Sequence, residues 1–235
     1  MSEKRLGGSN VVITGGSRGI GAVTAARLVA EGARVVSLSR KAGEKKPGID
    51  HVACDVTQAS SVADAAAKVL AIFGAAPDVV INNAGIFQMA PLAETKTEMF
   101  ADVVGTNLFG PFHVINAFLA GMLKRKKGHV ISIGSIADQL AFPENGAYSA
   151  AKFGLRGLHQ VLRAELKGSG VRSTLISPGN VDTSMWDAHL ESADAAAKFP
   201  ARTDMLRPDN IADAILFVLT LPPAANVDEL RITPA

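Results

Sequence analysis

Short apolar runs alternate with longer amphipathic stretches along the whole chain, and this alternation constrains the fold more than any other feature. Residues 10–14 (NVVIT), 34–38 (RVVSL), 51–54 (HVAC), 78–81 (DVVI), 129–133 (HVISI) and 171–176 (VRSTLI) are rich in β-branched side chains and nearly continuous in hydrophobicity. Strands buried on both faces read this way, so the pattern points to a parallel sheet covered by helices. Helical stretches lie between them at 19–31, 60–73, 100–123, 147–167 and 209–219, and 227–232 reads as a seventh strand. Such alternation implies βαβ crossovers. The expected architecture is one doubly wound α/β Rossmann domain over 1–235, with a seven-stranded parallel sheet and helices on both faces. The least patterned segment is 182–207, with Pro200 and Pro208 near its end. A loop that long inside a compact domain reads as a substrate lid, although the Ala-rich piece 193–197 within it has helical composition.

Composition narrows the function classes. At 235 residues and 48% hydrophobic, the chain can bury a sizeable core without disulfide or metal staples. A net charge of +2 and a sequence pI of about 8.7 do not describe the concentrated basic face of a nucleic-acid binder. Cys54 is the single cysteine, which excludes a disulfide framework and fits a reducing compartment. The N-terminus has no apolar signal core and no apolar run reaches membrane-spanning length, so a soluble cytoplasmic protein is expected. The histidines His51, His113, His129, His159 and His189 lack metal-ligand spacing, so no metal is expected. Lys124-Arg125-Lys126-Lys127 is read as a favourable charge placement at a solvated helix C-terminus.

Directly after the first strand comes Thr14-Gly15-Gly16-Ser17-Arg18-Gly19-Ile20-Gly21, followed by a helix. A Gly-rich turn between strand and helix lets the backbone approach a pyrophosphate and aims the helix N-terminus at its charge. The glycine spacing is looser than G-x-G-x-x-G, so the position between first strand and first helix carries the reading. After the second strand, where a carboxylate would hold the ribose hydroxyls of NAD, the chain offers Ser39-Arg40-Lys41. A guanidinium there can fork onto a 2′-phosphate, with Arg18 as a second cation, and the expected cofactor is NADP(H).

Tyr148 is the only tyrosine, and Lys152 stands four residues on. On a helix these two share a face. A cation near a phenol favours the phenolate, which makes the pair a general acid/base. Ser135 lies thirteen positions before Tyr148, just past the fifth strand, where α/β proteins bind ligands and where a hydroxyl could polarise a carbonyl. Each of these features alone is common.

Together, the turn at 14–21, Asn82-Asn83-Ala84-Gly85, Ser135, Tyr148-x-x-x-Lys152 and Pro178-Gly179 resemble the short-chain dehydrogenase/reductase family in order and spacing, over essentially the whole chain. The resemblance implies that Asn82, Ala84 and Gly85 line the adenine-ribose side of the cofactor and that Asp55 and Val56 contact the adenine. It implies that Asn107 holds a water linking Lys152 to solvent, the alternative being a polar residue that kinks a buried helix. Ser135 would position the substrate carbonyl, Tyr148 would donate the proton, and Lys152 would lower the Tyr148 pKa and bind the nicotinamide ribose. In Pro178-Gly179-Asn180-Val181-Asp182-Thr183, the resemblance places Val181 and Thr183 against the nicotinamide carboxamide.

Candidate substrate walls are Ile86 and Phe87, residues 136–142 including Ile136, Gln139 and Phe142, then Asn145, Met185 and Trp186. They are mainly apolar, so the expected substrate is a small to medium, largely uncharged carbonyl or secondary alcohol. Trp186 reads equally as pocket wall or lid anchor. A 3-oxoacyl thioester reductase is the alternative within the class. The C-terminus, which stops at Leu230-Arg-Ile-Thr-Pro-Ala235, looks more like carbonyl-type reductases and puts the usual tetramer in doubt. A homodimer or homotetramer through the helices around Asn107 and Tyr148 is expected. A non-catalytic NADP-binding sensor is the reading from a different class.

Overall fold

A computed structural model of the chain describes residues 4–42, 46–189 and 199–235. Seven strands form one sheet: β1 (Asn10–Thr14), β2 (Arg34–Ser39), β3 (Ile49–Ala53), β4 (Val79–Asn82), β5 (Gly128–Ile133), β6 (Val171–Pro178) and β7 (Glu229–Ile232). All pairings are parallel, in the order β3-β2-β1-β4-β5-β6-β7. The doubly wound α/β architecture expected from the alternation is therefore what forms. The strand order reverses between β1 and β4, which opens a crevice at the carboxyl ends of these strands.

Helices α1 (Gly19–Ala30) and α6 (Pro208–Thr220) cover one face of the sheet. Helices α2 (Ala59–Phe73), α4 (Gly110–Arg125) and α5 (Gly146–Glu165) cover the other. Successive strand side chains point to opposite faces, and the core divides accordingly. Val12, Val36, Val80 and Val130 pack with Phe118 and Met122 in one cluster. Val11, Ile13, Ile81 and Ile131 pack with Leu28 and Ile215 in the other. Both faces are filled, which is why the strands read as unbroken apolar runs. Phe118 is 2% exposed, and truncating such a ring to alanine costs about 3–5 kcal/mol.

The helical stretch expected at 100–123 is longer and interrupted. A first helix, α3 (Thr97–Val104), runs through a π-helical segment, Gly105–Phe109, into α4. Together Thr97–Arg125 is long and apolar enough to cross a membrane by length and composition alone, a test that helices packed on a sheet also pass. Strand β3 sits at 49–53, not 51–54, because this edge strand is largely exposed and its apolar signal is weak. Within 182–207 the described parts hold short 3-10 helices at Ser184–His189 and Arg202–Asp204. The helix expected at 193–197 lies outside the described residues.

The basic run at the end of α4 is partly paired. Arg125 and Lys127 both reach Asp78, at 3.3 and 3.1 Å, and Lys126 takes the left-handed conformation that ends the helix.

Candidate active site

A cavity of about 1150 Å³ lies along the carboxyl ends of the strands. Its floor begins at the turn after β1, where Gly15 and Gly19 have φ of +69° and +54°, a region that favours glycine. A Cβ at Gly15 would also lie 3.0 Å from the Ala84 Cα. The turn is tied to the loop after β4. The Thr14 hydroxyl accepts the N–H groups of Asn83 and Ala84 at 3.0 Å each, and the Asn83 amide donates to the Thr14 carbonyl at 2.9 Å. Helix α1 starts without a side-chain cap. Its first N–H groups lack intrahelical acceptors, and Gly19 and Ile20 present the helix start to the cavity.

Ser17, Arg18, Ser39, Arg40 and Lys41 line the same end. The Ser39 hydroxyl donates to the Lys41 carbonyl at 2.8 Å and lies 3.1 Å from the His51 ring nitrogen, which fixes the turn that displays Arg40. Asp55 and Val56 form the adjoining wall. The Asp55 carboxylate accepts the backbone N–H and hydroxyl of Thr57 at 3.0 and 2.8 Å. Cys54 also lines the cavity, and burial pushes its thiol pKa up, so it stays a protonated, unreactive thiol. Uncapped N–H groups beside three cations, on a floor where side chains are excluded at Gly15, could hold the phosphates of a dinucleotide.

Ala84, Gly85, Pro178, Gly179, Val181 and Thr183 all reach the cavity wall. Two residues expected there do not. Gly21 is buried in α1, where a Cβ would collide with the Gly15 carbonyl and the Asn83 side chain. Its absent side chain lets the helix close on the turn. Asn82 is 2% exposed at the end of β4, beneath the wall, and Asn83 lines the cavity in its place.

Ser135, Tyr148, Lys152 and Asn107 converge on the middle of the cavity. Ser135 caps a 3-10 turn, its hydroxyl accepting the Ala137 N–H at 3.1 Å. Tyr148 and Lys152 share one face of α5, with the ammonium 5.5 Å from the phenol ring centroid and donating to the Ile133 carbonyl at 2.8 Å. The expected depression of the Tyr148 pKa is not what these surroundings produce. Burial pushes the phenol up to about 12, against a hydrogen bond from Ser135 that lowers it. Burial likewise brings Lys152 down to about 8. Burial of these two side chains disfavours both charges.

Asn107 sits inside the π-helical segment and is 1% exposed. Its amide donates to the carbonyls of Ile86 and Val103 at 2.8 and 2.9 Å, and its buried Oδ1 has no partner among the described residues. A bulge of this type re-aims a side chain, and here it turns the Asn107 amide onto the Ile86 carbonyl. Gly85 makes room for it, since a Cβ there would lie 2.7 Å from that oxygen.

The far side of the cavity is apolar. Phe87 meets Tyr148 edge-on with centroids 5.0 Å apart and lies 5.3 Å from Trp186, which in turn lies 5.1 Å from Phe199. Ile136, Phe142, Asn145 and Met185 complete this part, while Gln139 does not reach it. Trp186 is both wall and anchor, because its indole N–H donates to the Val181 carbonyl at 3.0 Å. Sequence reasoning missed Phe199, Met89 and Glu144, which also line the cavity. It also missed Arg202, which pairs with Asp182, with Asp187 at 2.5 Å and with the Thr183 carbonyl at 3.3 Å. No local pattern signals these contacts, which span fifteen to twenty residues.

Residues 9–194 match the family described as short chain dehydrogenase. An uncharacterized oxidoreductase of Staphylococcus haemolyticus is 33% identical over 97% of this chain and 98% of its own length. The structure of a metagenomic short-chain oxidoreductase in complex with NADP is similar at a TM-score of 0.81 and 30% identity, covering 98% of this chain and 99% of that one. An alcohol dehydrogenase from the archaeon Thermococcus sibiricus, complexed with 5-hydroxy-NADP, is similar at a TM-score of 0.81 and 28% identity, with 95% of each chain covered. The protein is an oxidoreductase belonging to the short-chain dehydrogenase family.

Proposed function

We propose that the protein is an NADP(H)-dependent reductase that interconverts a carbonyl and a secondary or primary alcohol on a small to medium, largely uncharged substrate. The observation that carries this reading is the convergence of the Ser135 hydroxyl, the Tyr148 phenol and the Lys152 ammonium on one cavity. That cavity has cations at one end and an aromatic wall at the other. The turn at residues 15–20, Asp55, Val56 and the 178–183 segment would hold the dinucleotide, and Arg18, Arg40 and Lys41 would meet a 2′-phosphate. When bound, the nicotinamide supplies the hydride to the carbonyl carbon. Negative charge then builds on the carbonyl oxygen, where the Ser135 hydroxyl donates a hydrogen bond and the Tyr148 phenol delivers a proton. The phenol, held up to about 12 by burial, stays protonated at neutral pH, the state that reduction needs. Lys152, brought down to about 8, can pass a proton toward it. Asn107 offers its free Oδ1 to a water behind that lysine.

The test is oxidation of NADPH and NADH by the purified protein across diketones, aryl ketones, aldehydes, 3-oxo esters and a 3-oxoacyl thioester. NADPH-dependent turnover of uncharged carbonyls is expected. Turnover of the thioester alone replaces the substrate class, and NADPH binding without any turnover replaces the enzyme by a sensor. We also infer a homo-oligomer formed through α4 and α5. Phe112 on α4 and Phe153 and Val161 on α5 are exposed, as is Phe109 just before α4, a cost that burial against a second copy removes. A monomer by light scattering would refute it.

A further inference from the structure

Behind the cavity wall lies a buried carboxylate that the reaction as described does not use. Asp138 is 0% exposed and sits three residues after Ser135. Its Oδ2 accepts the Ser135 backbone N–H at 3.3 Å and the Ser177 hydroxyl at 2.5 Å. Its Oδ1 lies 3.4 Å from the Arg156 guanidinium. Arg156 is one turn beyond Lys152 on α5 and also pairs with Glu229 of β7. Ser177 immediately precedes Pro178-Gly179, where the nicotinamide segment begins. The carboxylate therefore ties together the Ser135 turn, the helix that bears Tyr148 and Lys152, and the strand end that leads into the 178–183 segment. Space for it is made at Gly134, where a Cβ would lie 2.5 Å from Oδ2.

We propose that Asp138 is a positioning residue for this reaction, joining the three catalytic segments at one point and setting the charge balance felt by the Tyr148–Lys152 pair. The proposal rests on the reductase reading for its purpose, though not for its geometry. A buried carboxylate is costly to desolvate unless it is paired, and a neutral side chain would fasten the same three segments at lower cost. Its charge acts where a neutral tether would not. Its charge favours the protonated form of both Tyr148 and Lys152. The groups that face it are Ser135 from its own turn, Ser177 from β6, and Tyr148, Lys152 and Arg156 from α5. Glu229 of β7 shares Arg156 with it.

Tyr148 is the chain's only tyrosine, so phenolate absorbance near 295 nm reads this side chain alone, with no substrate, cofactor or turnover. The full-length protein is jumped to a series of alkaline pH values and read within milliseconds, ahead of unfolding. Tyr148→Phe supplies the blank, and circular dichroism establishes that each variant is folded. Asp138→Asn keeps the shape and removes the charge. Phenolate formation should move to lower pH by about one unit, giving about tenfold more phenolate at a fixed pH below the midpoint. Arg156→Gln leaves the carboxylate and removes its counter-charge, so phenolate formation should move the opposite way. A purely structural tether predicts no such inversion of sign. Shifts of the same sign, or an unmoved titration in a folded variant, overturn the proposal. If Asp138→Asn does not fold, the direction of Arg156→Gln decides, because that side chain is part-exposed. Failure here leaves the reductase reading to the carbonyl panel, which is a separate measurement.

Discussion

Replacing Arg40 with aspartate should reverse the cofactor preference, and the size of the effect can be worked from the site. Arg40 is exposed at the cavity rim, on a turn that the Ser39 hydroxyl holds through Lys41, so the substitution leaves the turn's own bonds in place. A charge-assisted hydrogen bond to phosphate contributes about 1.5–3 kcal/mol, and the low end applies to a solvated group. The new carboxylate would face a 2′-phosphate of nearly two negative charges, adding about 1–2 kcal/mol of repulsion at contact distance in water. The sum, about 3 kcal/mol, weakens NADPH binding by about two orders of magnitude. NADH loses nothing and gains a ribose hydroxyl donating to the carboxylate, about 0.5–1 kcal/mol. The NADPH-to-NADH affinity ratio should therefore fall by roughly 500-fold. Trp186, the only tryptophan, lines the same cavity, so quenching of its emission by either cofactor gives the two dissociation constants directly. Raised salt should weaken NADPH more than NADH in the parent protein and not in the variant. An unchanged ratio in a variant with an unchanged melting temperature would refute the assignment of Arg40 to the 2′-phosphate.

Tyr148→Phe should cut turnover by about 10²–10⁴-fold while leaving NADPH binding intact; retained turnover would remove the phenol as proton donor. Trp186→Ala should reorder the carbonyl substrates with little change in melting temperature, and a collapse in stability would make the indole structural instead. Acid should destabilise the fold through two buried histidines, His129 and His159, which desolvation holds at about 3 and about 4, well below the usual 6.5. The unfolded chain binds these protons first, so the stabilisation is present above pH 6.5 and lost as pH falls toward 4, by about 2 kcal/mol for each ring at pH 5. Urea unfolding at pH 7 and pH 5 measures it, and a His159→Phe variant that keeps the full pH slope would contradict that share.

The sheet was legible because its physics is local. Val11, Val12 and Ile13 divide between two cores, so adjacent residues must all be apolar, and the sequence displays that directly. The edge strand β3 was placed two residues late for the converse reason, since only Val52 within it is buried. The π-helical segment at Gly105–Phe109 showed only as the polar Asn107 within an apolar stretch, because one extra residue in a turn hardly disturbs apolar periodicity. Membership of a motif run does not by itself put a residue on the cavity surface. Gly21 and Asn82 belong to the right runs, yet one closes a helix against a turn and the other lies beneath the wall.

What the sequence could not display is assembled across the chain. The substrate wall draws on residues 87, 142, 148, 186 and 199, and it gathers the one tyrosine, the one tryptophan and three of the ten phenylalanines. In a chain with 5% aromatic residues, a core could have used those rings anywhere; half-buried rings around a cavity instead suit a ligand that presents apolar surface. Burial also bears on the electrostatics. It raises the phenol and lowers the ammonium, so at neutral pH the phenol is protonated while Lys152, at about 8, still carries most of its charge. On the reductase reading, charge developing on a carbonyl oxygen would be met by the donors of Ser135 and Tyr148, carried on the turn and helix that Asp138 fastens. The aromatic wall and the polar group thus meet in one cavity, and on that reading the rings would shield the hydrogen bonds through which the proton is delivered.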